Sequence, residues 1–213
     1  ELYAHGVHLA TNTFEMGDDS VSKEKSTTVE LGLRKTAGDW LFSANTYFSR
    51  FDDYIYADTL DRHEDFRLIQ YAQRDADFYG VEAEVSYQIN TMLQAKVFGD
   101  SVRAKARGGD DLPRIPSARL GTGLEVDFLN GIHGGIEYVY GFKQTDVEAF
   151  EEKTENYHLV NANLSYDIAG SDRVSYQVYL QLNNLLDDTY YNHASYLSSI
   201  PQPGRNVTAG FRV

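Results

Sequence analysis

The chain has 213 residues, 19 Lys plus Arg against 32 Asp plus Glu, and a formal net charge of -13. That acidic balance argues against nucleic acid as a partner, because phosphate contacts need clustered Lys and Arg. With no Cys there is no disulfide framework, thiolate metal site or thiol nucleophile, and no run approaches the roughly 18 apolar residues of a membrane-crossing helix.

In chain order the dominant signal is alternation of period two. It begins at Val29 to Arg34, inside an element from Thr27 to Lys35, and returns at Trp40 to Ser49. In the next element Tyr79, Val81, Ala83, Val85, Tyr87 and Ile89 alternate with Gly80, Glu82, Glu84, Ser86 and Gln88. Leu93 to Val102 follows, then Ala118 to Phe128, Ile132 to Gly141 and Val160 to Ile168. In Val174 to Asn183, Val174, Tyr176, Val178, Leu180 and Leu182 share one face, and Gln177, Gln181 and Asn183 the other. Val207 to Val213 closes the series, giving about nine strands and no helix. Short turns at Ala37-Gly38-Asp39, Asn90-Thr91, Leu129-Asn130-Gly131 and Ala169-Gly170-Ser171-Asp172 alternate with long polar loops. Those loops lie near Asp58 to Asp65, Ala104 to Pro113, Lys143 to Thr154 and Thr189 to Gly204. The expected fold is therefore all-β: consecutive antiparallel hairpins with tight turns at one end and long loops at the other.

Alternation fits both a soluble sandwich and an up-and-down transmembrane β-barrel. Three features favour the barrel. Most strands hold alternation for about 9 to 13 residues, where soluble strands average roughly 5 to 6. The polar face mixes Gly80, Gly121, Gly123, Gly135, Gly141 and Gly210 with charges of both signs, as a wet lumen does. The apolar face places aromatics near strand ends, at Trp40, Phe48, Phe128, Tyr138, Tyr140, Tyr166 and Phe211, and the chain holds 16 Tyr. Such rings suit the girdles where lipid meets water. An odd strand number leaves the wall incomplete, because single-chain bacterial barrels carry an even one. Glu1 to Lys25 is expected as a long loop whose preceding strand lies outside the chain.

Motifs in a fixed order add a resemblance. Glu30-Leu31-Gly32-Leu33, Gly80-Val81-Glu82-Ala83-Glu84, Leu112-Pro113-Arg114-Ile115-Pro116, Gln181-Leu182-Asn183-Asn184-Leu185-Leu186-Asp187-Asp188-Thr189-Tyr190 and Pro203-Gly204-Arg205-Asn206-Val207 span most of the chain. Together they resemble TonB-dependent outer-membrane receptors. The resemblance implies that residues 1–213 are the C-terminal portion of a barrel of about 22 strands in a Gram-negative outer membrane. It implies partners outside the chain: membrane lipid, an N-terminal plug, the remaining strands and the TonB complex. The family commonly ends in Phe, whereas this chain ends Phe211-Arg212-Val213.

Nothing in the sequence points to an enzyme. Glu82 with Glu84, and Glu125 with Asp127, share a face, but lumen charges balanced by Lys and Arg explain them. No resident cofactor is expected; zinc is the candidate cargo. Imidazole with carboxylate is a donor set suited to Zn²⁺, and His5, His8 and His193 are the candidate metal residues, with Glu1, Glu15, Asp18 and Asp19 close in sequence. The stretch from Glu1 to Thr11, with the tail Tyr191 to Leu197, resembles the zinc-uptake (ZnuD-like) branch. The function this implies is active uptake of a scarce metal or metal complex: zinc, then haem or a ferric siderophore. A passive porin-like wall and a soluble β-rich binding module are the alternatives.

Overall fold

The structure is a computed structural model and describes residues 3, 5–64, 66–128, 130–171 and 174–213, without side chains at 169–171. Glu1, Asp65, Leu129 and Asp172, named above, lie outside the described residues. Every regular element among those described is a strand: β1 (His5–His8), β2 (Thr13–Met16), β3 (Lys25–Lys35), β4 (Trp40–His63), β5 (Phe66–Gln88), β6 (Leu93–Ala106), β7 (Arg119–Phe128), β8 (Ile132–Gly141), β9 (Tyr157–Ser171), β10 (Val174–Asn183) and β11 (Asn206–Arg212). The nine long ones pair with their sequence neighbours, antiparallel throughout, from β3 to β11.

Two departures from the expected pattern concern the outer, long-loop end. The segment expected as a loop before Lys25 contains the β1–β2 hairpin, and β2 pairs in parallel with β5 at Thr13↔Arg67 to Met16↔Gln70. The sheet is therefore antiparallel except at this one junction. The expected loop near Asp58 is instead strand: β4 and β5 run for 24 and 23 residues and stay paired out to His63↔Phe66. A register shift between Phe51 and Tyr54 marks where the hairpin leaves the wall. There Asp53 takes a φ of 58°, and its amide donates to Asp75 Oδ1 at 3.1 Å.

Register assigns the faces. Val178 lies opposite Tyr166 and Phe211, Leu124 opposite Ile136, and Val85 opposite Phe42 and Val97. Leu180, opposite Leu164 and Ala209, shares that face. The result is one continuous apolar surface from β3 to β11, and no second sheet covers it among the described residues. Val29 is 70% exposed, Val81 50% and Leu120 50%. In water such a surface would be strongly unfavourable, at about 25 cal/mol per Å² of apolar area; in lipid it is the expected exterior. Aromatics bound it on both sides. At the short-turn end Trp40 stacks on Tyr87 at 4.4 Å and Tyr176 on Phe211 at 5.8 Å. At the long-loop end stand Phe48 opposite Tyr79, and Tyr140 edge-on to Phe142 at 4.8 Å.

The opposite face is polar and cross-linked. Lys96 reaches Glu137 at 3.0 Å and Glu125 at 3.4 Å, Arg119 meets Asp100 at 3.0 Å, and Asn45 donates to Glu82 at 2.8 Å. His133 sits between Asp127 at 2.7 Å and Asp167 at 3.2 Å. The glycines of this face serve large neighbours. A Cβ at Gly80 would lie 2.5 Å from Cε1 of Tyr47, and Phe98 lies in the same way over Gly121 and Tyr179 over Gly210. Rings lie flat on the backbone where the cross-strand residue has no side chain.

The core sits at the outer end. One cluster joins Tyr56, Ala76, Ala104, Ala106 and Leu112; another joins Ala57, Ile69 and Tyr71, with Tyr196 packed against it. Tyr56 and Ala57 are consecutive and point to opposite faces of the strand, so both faces of the β4–β5 extension are covered. Among the described residues β1, β3 and β11 each pair on one side only; β3 and β11 are the open edges of the wall.

Candidate functional site

Four segments remote in sequence meet over the extension. The β6–β7 segment supplies Arg114, held at φ 60° between two prolines. Its amide donates to Glu151 Oε1 at 2.7 Å, its Nη2 donates to the Ala57 carbonyl at 2.9 Å, and its guanidinium lies 4.6 Å from the Tyr196 ring centre. Leu112, two residues earlier and 2% exposed, anchors the segment in the core. Arg67 on β5 donates to the carbonyls of Thr11 and Tyr196, and its guanidinium lies 5.9 Å from the same ring. Arg62 pairs with Glu152 at 2.9 Å. These groups line a cavity of about 110 Å³.

The acids here respond to burial in opposite ways. Burial pushes the Glu148 carboxyl up to about 8, helped by a hydrogen bond and charge from Asp58 and by the charge of Glu151. Its Oε2 is buried without a hydrogen-bond partner. Burial pushes Glu151 up as well, but the His193 ring and the amides of Arg114 and Glu148 outweigh it and hold this carboxyl below its usual range. The difference follows from donors: Glu151 accepts two backbone N–H groups, and Glu148 faces other acids.

The candidate metal residues fall in two places. His5 and His8 lie three apart on a four-residue strand, which puts them on opposite faces. His5 meets Phe14 edge-on at 5.2 Å, and His8 Nδ1 lies 3.9 Å from Glu15 Oε1. His193 is 2% exposed; its Nδ1 is 3.2 Å from Thr154 Oγ1, and its Nε2 lies 3.4 Å from Glu151 Oε1 at an angle outside hydrogen-bond geometry. The structure thus joins His193 to Glu151 and His8 to Glu15, and separates His5 from His8. Among the described residues no group of three or more His, Asp or Glu is arranged to hold a metal ion. Acids of the segments expected as long polar loops are engaged too, Asp58 by Glu148 and Asp146 by Arg103 at 2.8 Å. Sequence reasoning missed Arg67 and Tyr196; Glu148 and Glu151 were legible only as acids of a long polar loop, and for Arg114 the signal was its place between two prolines.

A sheet with one apolar face between aromatic girdles, one wet face, and a loop cap at one end defines part of a transmembrane-type β-barrel wall. The family described as "TonB dependent receptor-like, beta-barrel" matches residues 1–185, and the chain belongs to it. Solved structures share the fold at low identity. The "Copper transporter OprC" superposes with a TM-score of 0.80 at 19% identity over 91% of this chain and 32% of that one. The FrpB iron transporter from Neisseria meningitidis gives 0.70 at 17% over 93% and 32%. A ferric enterobactin receptor, PfeA, from Pseudomonas aeruginosa gives 0.70 at 13% over 93% and 32%. The chain spans about a third of the length of each of these proteins.

Proposed function

We propose that this chain forms wall and outer loops of a TonB-dependent outer-membrane receptor that actively takes up a scarce metal or metal complex. The observation that carries the reading is the uncovered apolar face between two aromatic girdles, together with family membership. The open edges of β3 and β11 are where the remaining strands close the barrel, because lipid does not tolerate unpaired backbone groups. The wet face is where the plug docks. Uptake of labelled metal by cells carrying the full-length receptor, with and without a functional TonB complex, tests this. Uptake that depends on TonB supports it; unchanged uptake without TonB indicates a passive wall instead.

Zinc is the favoured cargo, and iron or copper complexes are the alternatives suggested by the similar structures. The support for zinc is the pairing of imidazole with carboxylate at His8–Glu15 and His193–Glu151. Because His193 is buried, it contributes only if its loop opens. Calorimetric zinc titration of the full-length receptor, wild type against His5→Ala with His8→Ala and against His193→Ala, decides it. Unchanged affinity and stoichiometry in both variants removes all three residues from the site.

A further inference from the structure

The cap holds two guanidinium groups that no carboxylate answers. Among the described residues Arg67 donates only through Nη2, to the carbonyls of Thr11 and Tyr196. Arg114 donates only through its amide, to Glu151, and through Nη2, to the Ala57 carbonyl. Nε and Nη1 of both side chains are left without a partner there, and neither guanidinium forms an ion pair. Both lie against one ring, at 5.9 Å and 4.6 Å from the centre of Tyr196, and both line the cavity of about 110 Å³. Ser198 and Ser199 line it too, with hydroxyls that have no protein partner among the described residues.

The acids around the cavity do not supply the missing charge. Glu152 is paired with Arg62 at 2.9 Å. Glu151 is taken up by the amides of Arg114 and Glu148, at 2.7 and 3.2 Å, and by His193 at 3.4 Å. Glu148 keeps its proton up to about 8, because burial and then Asp58 disfavour its charge, so near neutrality it adds none. Arg67 registers the imbalance. Burial first, then the charges of Arg114 and Arg62, pull its guanidinium below its usual range, and the opposing pull of Tyr196 and Glu151 is smaller. Half-buried like charges without a counter-ion are unfavourable. The planar fork of a guanidinium matches the paired oxygens of a carboxylate or phosphate.

We propose that Arg67 and Arg114, with Ser198 and Ser199, bind one small oxyanion of the phosphate or carboxylate class in this cavity. The anion accepts from Nε and Nη1 of both forks and from the serine hydroxyls. It thereby joins β5, the β6–β7 segment and the 195–200 segment, three pieces of chain remote in sequence, and its occupancy holds the cap closed. At about 110 Å³ the cavity is smaller than the roughly 150 Å³ that takes a benzene, which suits a small ion rather than a bulky metal chelate. The site is therefore one for an effector, and it does not depend on which cargo the receptor carries.

Hydrogen exchange of the full-length receptor in mild detergent tests this, with inorganic phosphate, malonate and chloride at equal ionic strength as the probes. Phosphate or malonate is expected to slow exchange at 193–200, by about elevenfold at ten times its dissociation constant; chloride is expected to leave it unchanged. Slowing by phosphate alone assigns a phosphate, by malonate alone a carboxylate, and by both the chemistry they share. Arg67→Gln and Arg114→Gln are each expected to weaken anion binding by roughly tenfold or more, from the loss of a charged hydrogen bond. Arg103→Gln, outside this cavity, is expected to keep the full effect. No slowing by either oxyanion, equal slowing by chloride, or full slowing in both cavity variants overturns the site. The wild-type arms carry no substitution, so they decide even if a variant loosens the cap. Failure of the transport reading shows elsewhere, as metal uptake that is unchanged without TonB.

Discussion

β4 and β5 are each one strand in two surroundings. From Trp40 to Tyr47, against Gly80 to Tyr87, one face is apolar and bare and the other polar and wet. From Tyr54 to Thr59, against Ile69 to Arg74, both faces are covered, and Tyr56, Ala57 and Ile69 are all buried. The backbone ladder continues through the boundary; only what covers it changes. Pairing therefore sets the strand, and solvent sets its sequence pattern. In the wall an apolar side chain is held by the surrounding lipid, in the cap by neighbours that must fit it.

The sharpest way to separate the two regimes is truncation. Ile69→Ala leaves a void in a packed site and is expected to destabilise the cap by about 2–5 kcal/mol. Leu124→Ala, on the bare face, is expected to change much less, since lipid fills the space. Limited proteolysis of the full-length receptor, scored by cleavage within 54–74, reads the first; thermal unfolding in lipid reads the second. Equal effects would mean that the wall is packed like the cap.

Charge gives the converse contrast. Leu180→Arg places a cation on the lipid face near mid-strand, at a cost of about 2–4 kcal/mol; Gln181→Arg points into water and is expected to be near neutral. Folding into lipid vesicles, followed by the gel shift on heating, compares them. Equal tolerance of the two would count against a lipid-facing Leu180.

Arg114 ties the cap together. Arg114→Ala removes the bond to the Ala57 carbonyl and the contact with Tyr196, an expected loss of about 1–3 kcal/mol. It should appear as faster hydrogen exchange at 148–154 and at 193–197, with the wall strands unchanged. Acceleration spread through β7 to β10 would show that cap and wall unfold together.

The smallest effect is that of pH. Glu148 holds its proton up to about 8 when the cap is closed, against an ordinary value of 4.5. Between those values the closed cap binds a proton that the open cap has released, so closure is favoured at low pH and weakens as pH rises toward 8. Cleavage within 143–154 is expected to be faster at pH 8.5 than at pH 6, after correction for protease activity, and Glu148→Gln should abolish the difference. A difference of the opposite sign would show that Glu148 is ionised when the cap is closed.

The same division explains what was legible. Val174 to Asn183 was read with its true ends, because one wet face and one lipid face impress period two on the sequence. Asp58 and Asp61 read as loop in the sequence although both lie in β4; with both faces covered, alternation disappears and acids signal only polarity. His5 and His8 read as a chelating pair in the sequence because four residues are too few to reveal a strand, and a strand divides them. The meeting of Arg67, Arg114, Glu151 and Tyr196 depends on contacts between segments far apart in sequence, which no local pattern records.

The rings that lie flat over glycine also bear on clearance inside the barrel. A ring pressed to the wall adds one van der Waals thickness, about 3.5 Å, and leaves the bore open to whatever fills or passes it. Adding a methyl at Gly121 or Gly210 would tip Phe98 or Tyr179 away from the wall. The sheet would keep its hydrogen bonds and its lipid face, while the conduit narrowed by the width of a side chain.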